Sequence, residues 1–414
     1  MHQAVKVLAD SGVPARNLLY VSIDTPTYTD LRLDQLVTLF MEGQGIGRNE
    51  RFFAMFDEVQ YRREWEVQLK SLVDSYPQAR FVASGSAAAA LRLKSRESGA
   101  GRFTEFLLPP MTFAEYLFFI GRETELLRPA AAQPAQVPRK RGAWSFDAVD
   151  LDALNAEFVN YLNFGGFPEA AFSKEVRSDP SRYIREDIIE KVLLRDLPSL
   201  YGVADIQELY RLFTVLAYNT GAELNLDKLS IGSGVAKNTL RRYLDYLEAA
   251  FLIWRVRRVD ETGRRFIRET AFKIYLSNPS MRAALFGPVA PEDDAMGCLA
   301  ETATFSQWMH SRSGAGRIAY ARWGKGREVD IVHLSDQDRP DWTLEVKWSD
   351  RCFDHPEQLE ALVEFARQHA LTEAATATTR TRQGLTPVRG VLIDQIPTAL
   401  YCYIVGKDIL GGTV

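Results

Sequence analysis

Long apolar runs are missing from this 414-residue chain. No stretch approaches the roughly 18 consecutive apolar residues of a membrane-spanning helix, and Met1-His2-Gln3-Ala4-Val5-Lys6 has none of the apolar centre of a secretion signal. Cysteine is scarce too. Cys298, Cys352 and Cys402 are widely spaced and odd in number, which excludes a disulfide framework and any CxxC metal site and suits a reducing compartment. Charge of one sign is not in excess. Fifty Lys+Arg against fifty-four Asp+Glu leave a formal charge of -4, so the whole chain is no polybasic coat for nucleic acid or anionic membrane, and any basic patch is local. These absences predict a cytoplasmic protein with no membrane partner. What remains is ordinary globular composition, 46% apolar and 25% charged, with length for two or three domains at roughly 150 residues each.

Three short apolar runs, Leu18–Ile23, Phe52–Phe56 and Arg80–Ser84, each end in polar or acidic residues. Helical patterns separate them at Asp30–Met41 and Glu64–Ser75, and His2–Ser11 reads as an amphipathic helix with no capping residue before it. Alternating helices and buried strands predict a parallel α/β sheet, whose ligands sit at the carboxyl ends of the strands. Residues 129–142 have no period and read as a flexible loop. Helical stretches follow at Asp147–Phe164 and Tyr183–Leu197, parted by Gly165-Gly166-Phe167-Pro168-Glu169.

The strand Phe52–Phe56 delivers Asp57 and Glu58, the Walker B arrangement of nucleotide hydrolysis. Asp57 would hold a Mg²⁺ shell through water, and Glu58 would orient and polarise the attacking water. The plainer alternative is a strand ending in a solvated acid pair. Further along come Ser84-Gly85-Ser86, Gly101-Arg102, Pro110-Met111-Thr112-Phe113-Ala114-Glu115-Tyr116 and the Gly-Gly-Phe-Pro-Glu of 165–169. In this order, with Asp-Glu-Val-Gln at 57–60 and Trp65, the chain resembles prokaryotic AAA+-type P-loop ATPases that carry a C-terminal domain of unknown function with a restriction-endonuclease-like fold. The resemblance implies ATP and Mg²⁺ as cofactors and Ser84 and Ser86 as sensor-type residues near the nucleotide. It also implies that Arg102 acts on a γ-phosphate, in a neighbouring copy if the chain assembles with itself. An ordinary loop arginine is the alternative for Arg102.

Such ATPases need GxxxxGK[ST], whose backbone amides cradle phosphates at a helix N-terminus while its lysine neutralises the β and γ oxygens. The chain has no such string. Ile231-Gly232-Ser233-Gly234-Val235-Ala236-Lys237-Asn238 lacks both required glycines, and Gly43-Gln44-Gly45-Ile46-Gly47 precedes a strand instead of following one. In the family, the helix matching His2–Ser11 directly follows the phosphate loop. A start assigned too far downstream, by roughly 40 to 50 residues for a βα unit plus a helix, or a decayed copy accounts for this. Either way the 414-residue chain is expected to bind ATP poorly; micromolar affinity would overturn that.

Residues 205–276 read as a winged helix: helices at Ile206–Asn219, Asp227–Ile231 and Ala236–Ala249, then a hairpin, Phe251–Val259 and Phe266–Tyr275, around Thr262-Gly263. Ten Lys/Arg against five acids fall between Lys237 and Lys273. Lys237, Arg241 and Arg242 near the start of the third helix are candidates for DNA contact, with Arg264 and Arg265 of the wing on phosphates. A winged helix used for protein packing is the alternative.

The last segment is expected to hold strands at Ile318–Trp323, Glu328–Leu334, Trp342–Trp348, Gly390–Ile393 and Tyr401–Val405, a helix at Pro356–His369, and a mobile Thr-rich loop at 372–386. Asp330 on one strand and Glu345-Val346-Lys347 on the next form a D…ExK pattern, with Glu345 and Lys347 on one face. Asp330 and Glu345, with Glu301 from the preceding helix, would bind Mg²⁺ or Mn²⁺, and Lys347 would assist attack by water. The alternative is a salt-bridge cluster without cleavage. His333 and His355 have no convergent spacing and are assigned no role.

The sequence thus predicts an α/β chain in four parts. They are an AAA+-like core without its phosphate loop (1–128), a flexible loop and helical lid (129–204), a winged helix (205–290) and a restriction-endonuclease-like domain (291–414). The expected function is an ATPase coupling nucleotide state to nucleic-acid or partner binding. A DNA-binding protein or Mg²⁺-dependent nuclease on an ATPase-like scaffold is the alternative.

Overall fold

The structure, a computed structural model, describes residues 1–28, 30–85, 103–104, 106, 108–130, 145–203, 205–263, 271–311, 315–324 and 326–411. The chain divides into two compact units. The first comprises Met1–Leu107, Val192–Ile206 and Asp245–Phe251, and the second Leu108–Lys191, Gln207–Leu244 and Leu252–Val414. Among the described residues no helix is long and apolar enough to cross a membrane.

The first unit holds a parallel sheet of β1 (Leu18–Ser22), β2 (Phe53–Asp57) and β3 (Arg80–Ala83), in that order. Its register pairs Val21 with Phe56 and Phe56 with Ala83. The helices Leu33–Gln44 and Trp65–Ser75 cross between the strands, as parallel pairing requires. Ala54, Met55 and Phe56 are buried, and Phe52, Phe56, Val59, Trp65 and Leu69 anchor a core with Ile23 and Val37. Gly45 adopts φ 64° and closes the helix Leu33–Gln44, a left-handed C-terminal cap that glycine takes without strain. The helix His2–Asp10 buries none of its residues.

The second unit is built on a nine-stranded mixed sheet. Before it come the pair β4 (Leu127–Pro129) and β5 (Phe146–Ala148), then the helix Leu151–Phe164. The large sheet comprises β6 (Glu223–Asn225), β7 (Ile253–Val259), β8 (Ala271–Leu276), β9 (Ile318–Trp323), β10 (Arg327–Leu334), β11 (Pro340–Glu345), β12 (Ala375–Thr379), β13 (Gly384–Val388) and β14 (Val391–Pro397). Its order is β13-β14-β12-β11-β10-β9-β7-β8-β6. Helices Ile206–Tyr218, Leu226–Ser233 and Lys237–Ala249, of which Ile206 and Asp245–Ala249 belong to the first unit, occur where the sequence predicts them, and Gly234 at φ 72° ends the second helix. The hairpin β7–β8 follows, but β7 also pairs in parallel with β9 through Arg257↔Ala319 and Val259↔Ala321. The expected boundary at 290/291 therefore runs through one continuous sheet.

Two expected elements change type. Tyr401–Val405 is part of the helix Thr398–Leu410, with Leu400 through Gly406 all buried. A helix buried on every side shows no periodicity and reads like a buried strand. The expected Thr-rich loop contains β12 and the start of β13. β12 pairs with both β11 and β14, and Ala375 and Ala377 enter the core, so small residues serve where neighbouring strands supply the bulk. Most of the expected flexible loop, residues 131–142, lies outside the described residues.

Gly165 and Gly166 have a packing reason. A β-carbon on Gly165 would lie 2.6 Å from the Tyr161 backbone, and one on Gly166 would lie 2.3 Å from the buried Asn278 side chain. Tyr161, fully buried, donates its hydroxyl to Met111 O at 2.8 Å and accepts from Asn278 and Gln307, both at 3.2 Å.

Candidate functional site

β2, the middle strand of the parallel sheet, presents Asp57 at its carboxyl end. Neighbouring elements hold that carboxylate. Tyr20 on β1 donates to Asp57 Oδ2 at 2.9 Å, and Ser84, just past β3, donates to Oδ1, which also accepts the Glu58 amide at 3.2 Å. Burial raises the Tyr20 phenol above its usual range, and Asp57 adds to the shift. Glu58 sits in the left-handed region at φ 55°, uncommon for a non-glycine residue, and its carboxylate accepts from Gln60. Asp57, Glu58 and Ser84 are thus gathered at one strand end. Ser86 and Arg102 lie outside the described residues.

On the helix Lys237–Ala249, Lys237, Arg241 and Arg242 are exposed, while Leu240, Tyr243 and Leu244 are buried. Lys237 pairs with Asp227, and Arg241 donates to Asn238 Oδ1 at 3.3 Å. Arg264 and Arg265 are outside the described residues. Two members of the expected basic patch turn inward. Arg258 donates to the Arg322 carbonyl at 2.6 Å and 3.0 Å, and Lys273 is buried.

Lys273 joins a third group of residues. Strand alternation places Lys273 with Tyr275 on β8, and Glu328 with Asp330 on β10. β10 runs antiparallel to β11, which ends at Glu345, and Lys347 follows two residues later. Glu301 comes from the helix Met296–Gln307. The Lys273 ammonium is 2.7 Å from Glu301 Oε1, 2.6 Å from Glu328 Oε1 and 3.4 Å from Asp330 Oδ1. Lys347 is 2.6 Å from Glu345 Oε1 and 4.0 Å from Asp330 Oδ2. Tyr275 donates to Glu301 Oε1 at 2.5 Å, and the Val346 amide to Asp330 Oδ2 at 2.9 Å.

Four carboxyl groups here meet two lysines, with Arg322 at the edge, 3.6 Å from Glu328. Negative charge is in excess, and burial penalises it further. Burial first, then the charge of Asp330, pushes Glu301 up to about 7 and Glu345 up to about 8. Burial alone would lower Lys273 and Lys347, but the surrounding anionic groups outweigh it and hold both above the usual lysine range. A pocket of about 610 Å³ opens beside the group, lined by Glu301, Asp330, Lys347, Trp348, Met296 and Arg380 among others. The predicted Glu301, Asp330, Glu345 and Lys347 therefore converge. Sequence reasoning gave Lys273 and Glu328 no part in this group, although a lysine within Ala271-Phe272-Lys273-Ile274-Tyr275-Leu276 was a signal, since a buried strand cation needs a partner.

These residues do not fit a divalent metal as placed. Most of their carboxylate oxygens already accept from a lysine, a tyrosine or an amide. Among the described residues no three His, Cys, Asp or Glu side chains form a group that could hold a metal ion.

Residues 1–117 match the family described as AAA domain, and the parallel sheet with its strand-end acids is consistent with that match. Residues 155–292 match a domain of unknown function, DUF8612. Among curated relatives, an uncharacterized protein of Haemophilus influenzae is 24% identical over 283 residues, 67% of this chain and 64% of its own length. An uncharacterized protein of Methanocaldococcus jannaschii is 25% identical over 248 residues, 59% of this chain and 51% of its own. The chain thus spans about half to two thirds of these relatives. No solved structure matches it.

Proposed function

We propose that this chain belongs to an ATP-dependent switch in which a Mg²⁺-nucleotide site at the end of β2 is coupled to binding of nucleic acid or a partner protein. The observation that carries this reading is Asp57, fixed at the carboxyl end of the central parallel strand by Tyr20 and Ser84. An anchored carboxylate suits Mg²⁺ held through water, because Mg²⁺ dehydrates reluctantly. When bound, Mg²⁺ would neutralise phosphate charge. Asp57 would orient its water shell, Glu58 would polarise the attacking water, and Ser84 would tie Asp57 to the strand carrying the sensor residues. Ser86 would lie toward the nucleotide, and Arg102 would reach a γ-phosphate in a second copy. A cytoplasmic location belongs to the same reading.

Nucleotide titration tests it. Without a GxxxxGK[ST] cradle in these 414 residues, ATP is expected to bind weakly, with Kd on the order of millimolar, and only with Mg²⁺. Asp57→Asn should abolish that binding, whereas Glu58→Gln should spare binding and remove hydrolysis. Binding indifferent to Mg²⁺ and to Asp57→Asn would sink the proposal.

DNA is the binding partner favoured by the exposed Arg241 and Arg242, on a helix that follows a helix and a glycine turn and precedes a hairpin. This is the winged-helix reading, with Lys237, Arg264 and Arg265 on phosphates. A mobility shift that weakens with salt and is lost in Arg241→Ala/Arg264→Ala supports it; no shift at low salt removes it. A restriction-endonuclease-like nuclease at Asp330, Glu345 and Lys347 would require Mg²⁺ or Mn²⁺ where the residues do not fit one.

A further inference from the structure

We infer that the Lys273 ammonium is the resident cation of the Glu301–Glu328–Asp330 cluster and holds the place a divalent metal would take. This goes beyond the nucleotide reading and does not depend on it. An ammonium has three N–H donors, and here three carboxylates surround it, at 2.6, 2.7 and 3.4 Å. Only 3% of the Lys273 side chain is exposed, so water contributes little to its solvation and the carboxylates replace it. The Tyr320 ring face, 5.5 Å away, adds a further contact that favours a cation.

The strand pattern explains why the lysine points here. β8 is buried almost throughout, so Lys273 cannot reach solvent, and its same-face neighbour Tyr275 donates to Glu301. The adjacent Asp330 is held from the other side by the Val346 amide, and Glu345 by Lys347. A hard divalent cation needs about six oxygen ligands close around it. To gather them it would have to break the Lys273 pairs and then sit beside a positive charge whose side chain is only 3% exposed. The cluster is therefore an internally paired ionic lock between β8, β10 and the helix Met296–Gln307, and Lys273 excludes the metal.

The probe is Mn²⁺ alone, titrated into the full chain carrying Asp57→Asn so that the N-terminal acid contributes nothing, with free Mn²⁺ read by its electron paramagnetic resonance signal. The chain with Lys273 intact is expected to show no saturable uptake. Lys273→Met keeps the aliphatic stem and removes the charge. It should gain a site binding at least about tenfold more tightly than anything in the parent, and adding Asp330→Asn should abolish that site. Saturable uptake by the Lys273 chain that disappears on Asp330→Asn overturns the inference, as does a folded Lys273→Met chain that gains nothing. Where Lys273→Met does not fold, the parent chain with and without Asp330→Asn decides between the same outcomes. Because Asp57 is already removed, neither result bears on the nucleotide site.

Discussion

The excess of acid in the buried cluster gives this protein an unusual expected response to pH. Glu301 and Glu345 titrate near 7 and 8 in the folded chain, against roughly 4.3 for an unperturbed glutamate. Between these values the folded state binds more protons than the unfolded one, so stability falls as pH rises. The stabilisation is complete below the unfolded value and is lost as pH climbs through 7 and 8. Each retained proton gives a slope of about 1.4 kcal/mol per pH unit, and since both acids face Asp330, one shared proton is the conservative count. Between pH 5.5 and 7.5 that amounts to about 2–3 kcal/mol. Urea unfolding at several pH values, followed by far-ultraviolet circular dichroism, measures it. Glu345→Gln makes the site permanently neutral and should flatten the slope, matching the parent near pH 5.5 and exceeding it near pH 8. A parent whose midpoint is level or rises over this range, or a variant with the parental slope, would refute the reasoning.

Three further outcomes follow from single residues. Asp350 accepts the amides of Arg380, Thr381 and Arg382 at 3.0, 2.7 and 3.1 Å and the Thr381 hydroxyl at 2.6 Å. Burial alone would raise its carboxyl, but these donors hold it below the usual range, so its contribution is present above about pH 4 and lost as pH falls further. Asp350→Ala should cost about 2–3 kcal/mol at neutral pH in a urea titration. Tyr161→Phe removes a buried hydroxyl serving Met111, Asn278 and Gln307, and should lower stability by about 1–3 kcal/mol; an unchanged urea midpoint would contradict this. Gly166→Ala drives a methyl into the Asn278 side chain and should cost about 1–3 kcal/mol, seen as a lower thermal midpoint.

The parallel sheet was readable because β1, β2 and β3 are short apolar runs punctuated by acids and joined by periodic helices. Asp57 could be singled out for the same reason, since an acid pair directly after a buried strand is a local pattern. Lys273, within an apolar strand, signalled a cation that needs partners, but the local sequence did not say which. Its partners Glu301, Glu328 and Asp330 lie far along the chain, and only the pairing of distant strands brings them together. The helix Thr398–Leu410 failed differently: Tyr401-Cys402-Tyr403-Ile404-Val405 favours a strand locally, and tertiary burial on all sides overrides that preference. Asp330, Glu345 and Lys347 lay between these cases. Alternation put Glu345 and Lys347 on one face and a loop folded the Asp330 strand beside them, but whether they bind a metal or one another depended on a lysine from another strand.

The parallel pairing of β7 with β9 has a consequence for how this gene can be dissected or recombined. A fragment ending near residue 290 keeps Lys273 but leaves behind all three of its acids, and it leaves β7 with an open edge where β9 had been. The complementary fragment inherits the carboxylates without their counter-ion. Residues 205–290 and 291–414 are therefore not interchangeable cassettes: a piece that is transplanted with Lys273 still paired carries the hairpin, the helix Met296–Gln307 and β10 together.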